Sequence, residues 1–206
     1  MCRKVCPVGA ISGGLGVVHS IREDACVACG QCLVACPFNA IEQMSFIDQV
    51  MQKLDDPKTL VVAHPAPAVR VAIAEEFGAE LGTLAAGKLA AALRAIGFDR
   101  VYDTNFPADL TIMEEATEFM DRFKNGGKLP LITSCSPGWV KFCEYYYPDM
   151  ISHLSSCKSP QQMAGAVIKT YFAEKAGIDP KTLNNYATMS TRNVNVASKA
   201  SAQSSM

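Results

Sequence analysis

The sequence has no excess of basic residues and no apolar run long enough to cross a membrane. Its 206 residues include 19 Lys and Arg against 20 Asp and Glu, which gives a net charge of −1. Nucleic-acid-binding domains usually carry a basic face, so this balance argues against a nucleic-acid partner. No segment approaches the roughly 20 apolar residues of a membrane helix, and the residues after Met1 lack a signal-peptide pattern. We therefore expect a cytoplasmic protein with no membrane partner.

Cysteine is the residue type that stands out. The chain has nine cysteines, and six of them lie within the first 36 residues. Their positions are Cys2, Cys6, Cys26, Cys29, Cys32, Cys36, Cys135, Cys143 and Cys157. An odd number at such close spacing does not resemble a secreted disulfide framework. It indicates metal or redox chemistry in a reducing compartment.

The composition divides the chain into three parts. Residues 1–42 hold the cysteine cluster and only short apolar runs, so this segment needs metal to hold it together. In residues 45–183 apolar strands alternate with amphipathic helices, which predicts an α/β unit with a parallel sheet. Residues 184–206 are polar and contain no acidic residue, so we expect this tail to be disordered.

Within the α/β unit the pattern predicts three strands and four helices. The strands are expected at residues 59–64, 100–103 and 129–134. The helices are expected at residues 82–96, 108–124, 137–147 and 160–177. The last helix opens with Ser159, Pro160 and Gln162, which is the pattern of a capping box with proline in the first turn.

The most specific motif is Cys26-x2-Cys29-x2-Cys32-x3-Cys36-Pro37. Three thiolates two residues apart can hold one iron–sulfur cluster, while the fourth, beside proline, points at a neighbouring cluster. Zinc is the alternative, although zinc sites usually use two separated cysteine pairs around one ion. The run resembles the module of bacterial two-cluster ferredoxins.

The preceding cysteine run of that family is incomplete here, since only Cys2 and Cys6 remain of it. We expect that the chain begins inside this motif. The ferredoxin pattern of ligation then implies one complete site of four thiolates. Its ligands are Cys6, Cys26, Cys29 and Cys32. The other site keeps only Cys2 and Cys36, so we expect one robust [4Fe–4S] cluster and a second that is absent or labile.

A further thiol lies in the segment 133–139, with sequence TSCSPGW. Cys135 follows a predicted strand and precedes a predicted helix. Ligands bind at the carboxyl ends of parallel strands, and a helix N-terminus favours the thiolate form of a cysteine. The alternative is a buried cysteine beside a Ser-Pro helix cap.

Four segments together resemble the catalytic domain of [FeFe]-hydrogenases. They are TSCSPGW at 133–139, APAVRVAIAEEFG at 66–78, DLTIMEEATEF at 109–119 and KSPQQMAGAVIKTYFAEKAGI at 158–178. The resemblance implies an α+β protein, in which a ferredoxin-like [4Fe–4S] module precedes an incomplete α/β hydrogenase domain with a mostly parallel sheet. It also implies reversible reduction of protons to H2 with ferredoxin-type electrons. The implied partners are ferredoxin or another electron-transfer protein, and hydrogenase maturation proteins.

The resemblance also assigns residue roles. Cys135 would pass protons to the active-site H-cluster. The proton route towards the surface would comprise Glu115, Glu118, Arg122 and Ser155. The diiron pocket would be lined by Ala66, Pro67, Pro160 and Gln161. Without the resemblance, the two glutamates would be interpreted as part of a solvated helix face, since they lie three residues apart.

The sequence departs from the family at several ligand positions. Ser136 stands where the family usually has a cysteine that ligates the H-cluster, so either Cys135 ligates instead or the site is altered. Helix capping is the alternative role of Ser136. The family's two later ligand motifs are missing. Cys143 and Cys157 do not replace them and are expected to be ordinary buried thiols. We therefore expect no hydrogen turnover by this chain alone.

Two other classes of function remain open at this point. One is an electron-transfer or iron–sulfur-carrying protein that uses a hydrogenase-like scaffold without hydrogen chemistry, as occurs in cytosolic iron–sulfur assembly. The other is a gene fragment or a frameshifted product, which the incomplete first cysteine run and the polar tail favour.

Overall fold

The computed structural model describes residues 1–188 of the chain. Residues 189–206, which include most of the tail expected to be disordered, lie outside the described residues. Within the described part, no helix combines the length and apolar character that a bilayer crossing requires.

The N-terminal module consists of two short helices and a hairpin. The elements are α1 (Cys2–Val5), β1 (Ile11–Gly14), β2 (Val17–Ile21) and α2 (Gln31–Val34). The strands pair antiparallel, with Ile11 opposite Ile21, and α1 packs against α2. The hairpin requires glycine at position 13, where φ is +111° and an added Cβ would lie 2.8 Å from the Cα of His19.

The rest of the described chain alternates between helices and strands. The elements are α3 (Ile47–Leu54), β3 (Leu60–Pro65), α4 (Val69–Glu76), α5 (Ala86–Ile96), β4 (Arg100–Val101), α6 (Asn105–Asn125), α7 (Pro137–Tyr146), α8 (Pro160–Val167), α9 (Ala173–Ala176) and β5 (Leu183–Thr188). A 3-10 helix at Pro148–His153 follows α7, and a π-helical segment at Ile168–Phe172 joins α8 to α9.

The three strands of the α/β unit form a parallel sheet in the order β4-β3-β5. Successive residues of β3 face opposite sides of the sheet, as a strand requires. Val61 and Ala63 pack with residues of α5, whereas Val62 packs with residues of α8 and α9. The central strand is therefore buried on both faces between helices. This arrangement confirms the mixed helix-and-strand architecture with a parallel sheet.

The predicted strand at 129–134 is wrong. In that segment, a single bridge joins Ile132 to Leu154. The N–H of Ile132 donates to the carbonyl of His153 (2.8 Å), and the N–H of Ser155 donates to the carbonyl of Ile132 (2.7 Å). Pro130 has no N–H to contribute to a ladder. The apolar run pairs with the 153–155 segment and not with the sheet.

The expected disorder of the polar tail is also wrong for residues 184–188. Residues 184–188 continue β5, whose six positions pair with β3 from Leu60 opposite Leu183 to Pro65 opposite Thr188. Leu183 is only 2% exposed and anchors this strand in the core. Pairing with a buried neighbour supplies the backbone hydrogen bonds, so a weak local strand propensity is sufficient.

Candidate functional site

Four cysteines of the N-terminal module surround one cavity. It has a volume of about 90 Å³, and its cysteines are Cys6, Cys26, Cys29 and Cys32. Cys6 ends α1 and Cys32 lies within α2, whereas Cys26 and Cys29 lie in the loop before α2. Residues that are 20 or more positions apart in sequence are thus brought together by the packing of α1 and α2. These are the four thiols that the ferredoxin pattern of ligation assigns to one site.

The surroundings of the cavity suit negatively charged sulfur. The backbone N–H of Ala10 donates to Cys6 Sγ (3.2 Å), and that of Ala28 donates to Cys26 Sγ (3.4 Å). Apolar side chains supply much of the remaining wall, among them Ile11 and Leu33. N–H donors and apolar walls are the environment in which iron–sulfur clusters are held by thiolates. The donor set therefore fits an iron–sulfur cluster.

The thiols enclose a space without converging on one point. In residues 1–188, no three Cys, His, Asp or Glu side chains lie close enough together to hold a single metal ion. Burial raises the pKa of the Cys32 thiol, and backbone hydrogen bonds oppose this effect.

Cys2 and Cys36 are half-buried and do not line this cavity. Cys36 accepts a hydrogen bond from the backbone N–H of Ala40 (3.4 Å), and this donor lowers the pKa of its thiol.

A second polar cluster is centred on Glu118 of α6. Its carboxylate accepts hydrogen bonds from Arg122 Nη2 (2.6 Å), Ser155 Oγ (2.7 Å) and the backbone N–H of Ser156 (3.1 and 3.2 Å). The Cys157 thiol also donates to it, at 3.5 Å. Side-chain exposure is 15% for Glu118 and 16% for Arg122. Glu118 is therefore not part of a solvated helix face, although Glu115, one turn earlier, is only half-buried.

The electrostatics of this cluster keep Glu118 ionised. Burial alone would raise the pKa of its carboxyl group, but the hydrogen bonds from Ser155, Ser156, Arg122 and Cys157 outweigh burial and lower that pKa to about 2. The pKa of the Cys157 thiol is raised, mainly by burial and further by the neighbouring carboxylates. At neutral pH the cluster thus contains an ionised carboxylate surrounded by donors.

Cys135 lies immediately before α7, and its side chain is exposed. Ser136 occupies the N-cap position of α7, but its side chain makes no capping hydrogen bond, so the expected capping role is wrong. The segment around Cys135 is tied to the Glu118 cluster by Ser134, whose hydroxyl donates to the carbonyl of Ser155 (2.9 Å).

The remaining predicted site residues lie at the end of β3 and at the start of α8. Ala66 and Pro67 directly follow β3, whereas Pro160 and Gln161 form the first turn of α8. The capping box of α8 is confirmed, because Ser159 and Gln162 exchange hydrogen bonds through both their side chains and backbones. Cys143 is fully buried, as expected. Cys157 is only half-buried and is a hydrogen-bonding member of the Glu118 cluster, a contact that no spacing pattern signals.

Helix α7 joins the two sites. Near its start, a Cβ added to Gly138 would lie 3.4 Å from the carbonyl oxygen of Val27. In the sequence, Val27 stands between Cys26 and Cys29, two of the cavity cysteines. At its end, the Tyr146 hydroxyl lies within hydrogen-bonding distance of the carbonyls of Ala25 (3.3 Å) and Val8 (3.4 Å). Sequence reasoning missed Tyr146, because nothing local distinguishes it from Tyr145 and Tyr147. The helix that begins beside Cys135 thus packs directly on the cysteine module.

Models of known protein families match both parts of the chain. Residues 59–189 match the iron-only hydrogenase large subunit, C-terminal domain, and residues 1–47 match the LdpA Fe-S cluster-binding domain. The chain therefore belongs to the iron-only hydrogenase family, and the resemblance carried by its four sequence segments is confirmed.

Individual hydrogenases are also similar in sequence to this chain. The chain is 45% identical over 198 residues to the NADP-reducing hydrogenase subunit HndD of Solidesulfovibrio fructosivorans, covering 89% of this chain and 34% of that protein. It is 47% identical over 192 residues to the periplasmic [Fe] hydrogenase large subunit of Nitratidesulfovibrio vulgaris, covering 91% and 46%. The chain thus spans less than half the length of these hydrogenases.

A solved structure of apo [FeFe]-hydrogenase HydA1 from Chlamydomonas reinhardtii matches with a TM-score of 0.66 and 47% identity, covering 70% of this chain and 37% of that one. A more distant relative is cytosolic iron-sulfur assembly component 3 of Bos taurus, 31% identical over 172 residues, covering 78% and 36%.

Proposed function

We propose that this chain carries the electron-entry cluster and the proton route of an [FeFe]-hydrogenase, which reversibly reduces protons to H2 with ferredoxin-type electrons. The observation that carries the proposal is the packing of α7. Through Gly138 and Tyr146 this helix, which follows the Cys135 segment, packs on the backbone of the cysteine module at Val27, Val8 and Ala25. Such packing suits a molecule in which electrons and protons arrive at one place.

The four-cysteine cavity would hold one [4Fe–4S] cluster, which accepts and passes on single electrons when bound. In the ferredoxin-like module that we propose for residues 1–42, Cys2 and Cys36 could contribute to a second, labile cluster. Ferredoxin or another electron-transfer protein would supply the electrons.

The Glu118 cluster would be the middle of the proton route between Cys135 and the surface, with Glu115, Ser155 and Arg122. A carboxyl group with a pKa of about 2 does not hold a proton at neutral pH. Loosening of the hydrogen bonds from Ser155, Ser156 and Arg122, which lower this pKa, would favour a proton on Glu118. The Ser155 hydroxyl, which can both donate and accept, suits this exchange.

The residues near Cys135 do not fit an H-cluster by themselves. Ser136 is a poor substitute for a thiolate, Cys143 is fully buried on α7, and the Cys157 thiol is engaged with Glu118. We therefore expect Ala66, Pro67, Pro160 and Gln161 to form only part of the diiron pocket. These 206 residues alone should not turn over H2, even after treatment with maturation proteins.

The test uses the anaerobically reconstituted chain with a strong chemical reductant. We expect it to be reduced and to pass electrons to an acceptor, without evolving H2. Hydrogen evolution after co-expression with maturation proteins would contradict the expected inactivity, whereas failure to bind iron and sulfide would contradict the proposed cluster.

A second function is favoured by the contrast between the two thiol sites. The four-cysteine cavity is complete, while Ser136 replaces a thiol at the other site. This combination suits an iron–sulfur-carrying or electron-transfer protein with a non-catalytic hydrogenase-like scaffold. Transfer of the cluster to an apo-ferredoxin would support the carrier, whereas a retained cluster that only exchanges electrons would support the electron-transfer role.

A further inference from the structure

Gln43 lies on the wall of the four-cysteine cavity and carries a buried polar atom without a partner. Among the side chains of residues 1–184, its Oε1 atom is the single buried oxygen or nitrogen that has no hydrogen-bond partner. Gln31, the other amide that lines the cavity, is exposed to water. A buried polar atom without a partner is costly, so the Oε1 position of Gln43 calls for a partner that the protein atoms do not supply.

We propose that the Gln43 side chain donates an amide N–H hydrogen bond to a sulfur atom of the cluster held in this cavity, and thereby raises its reduction potential. The proposal rests on the function proposed above. Cysteines that ligate iron are thiolates with no proton to donate, so a carbonyl oxygen facing them would meet only negative charge. Rotation of the amide exchanges the oxygen for the NH2 group, which donates.

The direction of the effect follows from charge. Reduction adds an electron to an already negative cluster, and hydrogen bonds to its sulfur atoms stabilise the reduced form. Other donors to the cavity sulfurs are backbone N–H groups, among them those of Ala10 and Ala28, which side-chain substitutions leave in place. Gln43 is thus a side chain through which the potential can be changed while the ligands are kept.

The experiment compares midpoint potentials of the reconstituted full chain by EPR-monitored titration. Gln43→Leu removes the donor and keeps a similar volume, whereas Gln52→Leu makes the same chemical change on the exposed face of α3. We expect Gln43→Leu to lower the equilibrium constant for one-electron reduction up to tenfold, a shift of about 59 mV to more negative potential, and Gln52→Leu to leave it unchanged. An unchanged potential in a fully loaded Gln43→Leu chain would overturn the proposal.

A second variant tests the same hydrogen bond if the Gln43→Leu chain does not retain its cluster. Gln43→Glu should give a potential that rises as the pH falls, because a protonated carboxyl group can donate where a carboxylate cannot. Pulsed EPR of the reduced wild-type chain with 15N-labelled glutamine amides should show a nitrogen coupling that Gln43→Glu abolishes. Absence of that coupling refutes the role of Gln43 alone, whereas a wild-type chain that binds no cluster refutes the proposed function as well.

Discussion

Replacing Glu118 by Gln should destabilise the fold through the cation that it leaves behind. Arg122 is only 16% exposed, and Glu118 is the carboxylate with which it forms an ion pair, at 2.6 Å. Removing one partner of a buried ion pair costs about 3–5 kcal/mol. Because both side chains retain some contact with water, and Arg122 also donates to the carbonyl of Leu154 (2.8 Å), we expect a loss of about 2–3 kcal/mol.

The assay is urea unfolding followed by circular dichroism at pH 7, with Glu114→Gln as the control. Glu114 is an exposed glutamate on the same helix, so its substitution should change the unfolding free energy by less than about 0.5 kcal/mol.

The pH dependence gives a second readout of the same interaction. The pKa of Glu118 is lowered from 4.5 to about 2, so its contribution is complete above pH 4.5 and is lost as the pH falls towards about 2. The difference between wild type and Glu118→Gln should therefore shrink over this range. Equal stability of the two chains at pH 7 would refute the claim that Glu118 organises this cluster.

Three further predictions concern the hairpin, the central strand and the link between the sites. Gly13→Ala should lower stability by about 1–3 kcal/mol because of the φ of +111° at this position and the contact of the added Cβ with His19. Gly14→Ala should not lower stability, because the space around its Cβ position is open. Thermal unfolding compares the two variants. Burial lowers the pKa of His64 from 6.5 to about 4, so wild type should lose about 3 kcal/mol of unfolding free energy as the pH falls from 6.5 to 4, and His64→Gln should lose less. Tyr146→Phe should cost about 0.5–1.5 kcal/mol and speed amide exchange around residues 25–29, and exchange rates equal to wild type would contradict a linking role.

The parts of the fold that could be predicted from sequence are those with local signals. The apolar, β-branched run predicts β3, and the Ser159-Pro160 pair predicts the start of α8. Each signal lies within a few residues. The segment 129–134 carried a similar apolar signal, yet Ile132 pairs with Leu154 alone. Strand formation depends on which neighbour is available, and a local pattern does not encode that.

The candidate site also has residues that the sequence predicts and contacts that it does not. Cys26, Cys29 and Cys32 follow from the spacing of a ligand motif, whereas Cys6 was assigned by the ferredoxin pattern of ligation. The contacts of Cys157 with Glu118 and of Tyr146 with Ala25 join residues 39 and 121 positions apart. They join a helix to a loop far away in the sequence and produce no periodic sequence pattern, so only the folded structure reveals them.

The most direct test of the proposed cluster is the iron and acid-labile sulfide content of the chain after anaerobic reconstitution, with an EPR spectrum of the reduced protein. We expect about four irons and four sulfides in one [4Fe–4S] cluster. This content should be lost in Cys29→Ser and retained in Cys143→Ser, whose cysteine is fully buried away from the cavity. A chain that binds zinc without sulfide, or that keeps its full iron content in Cys29→Ser, would contradict it.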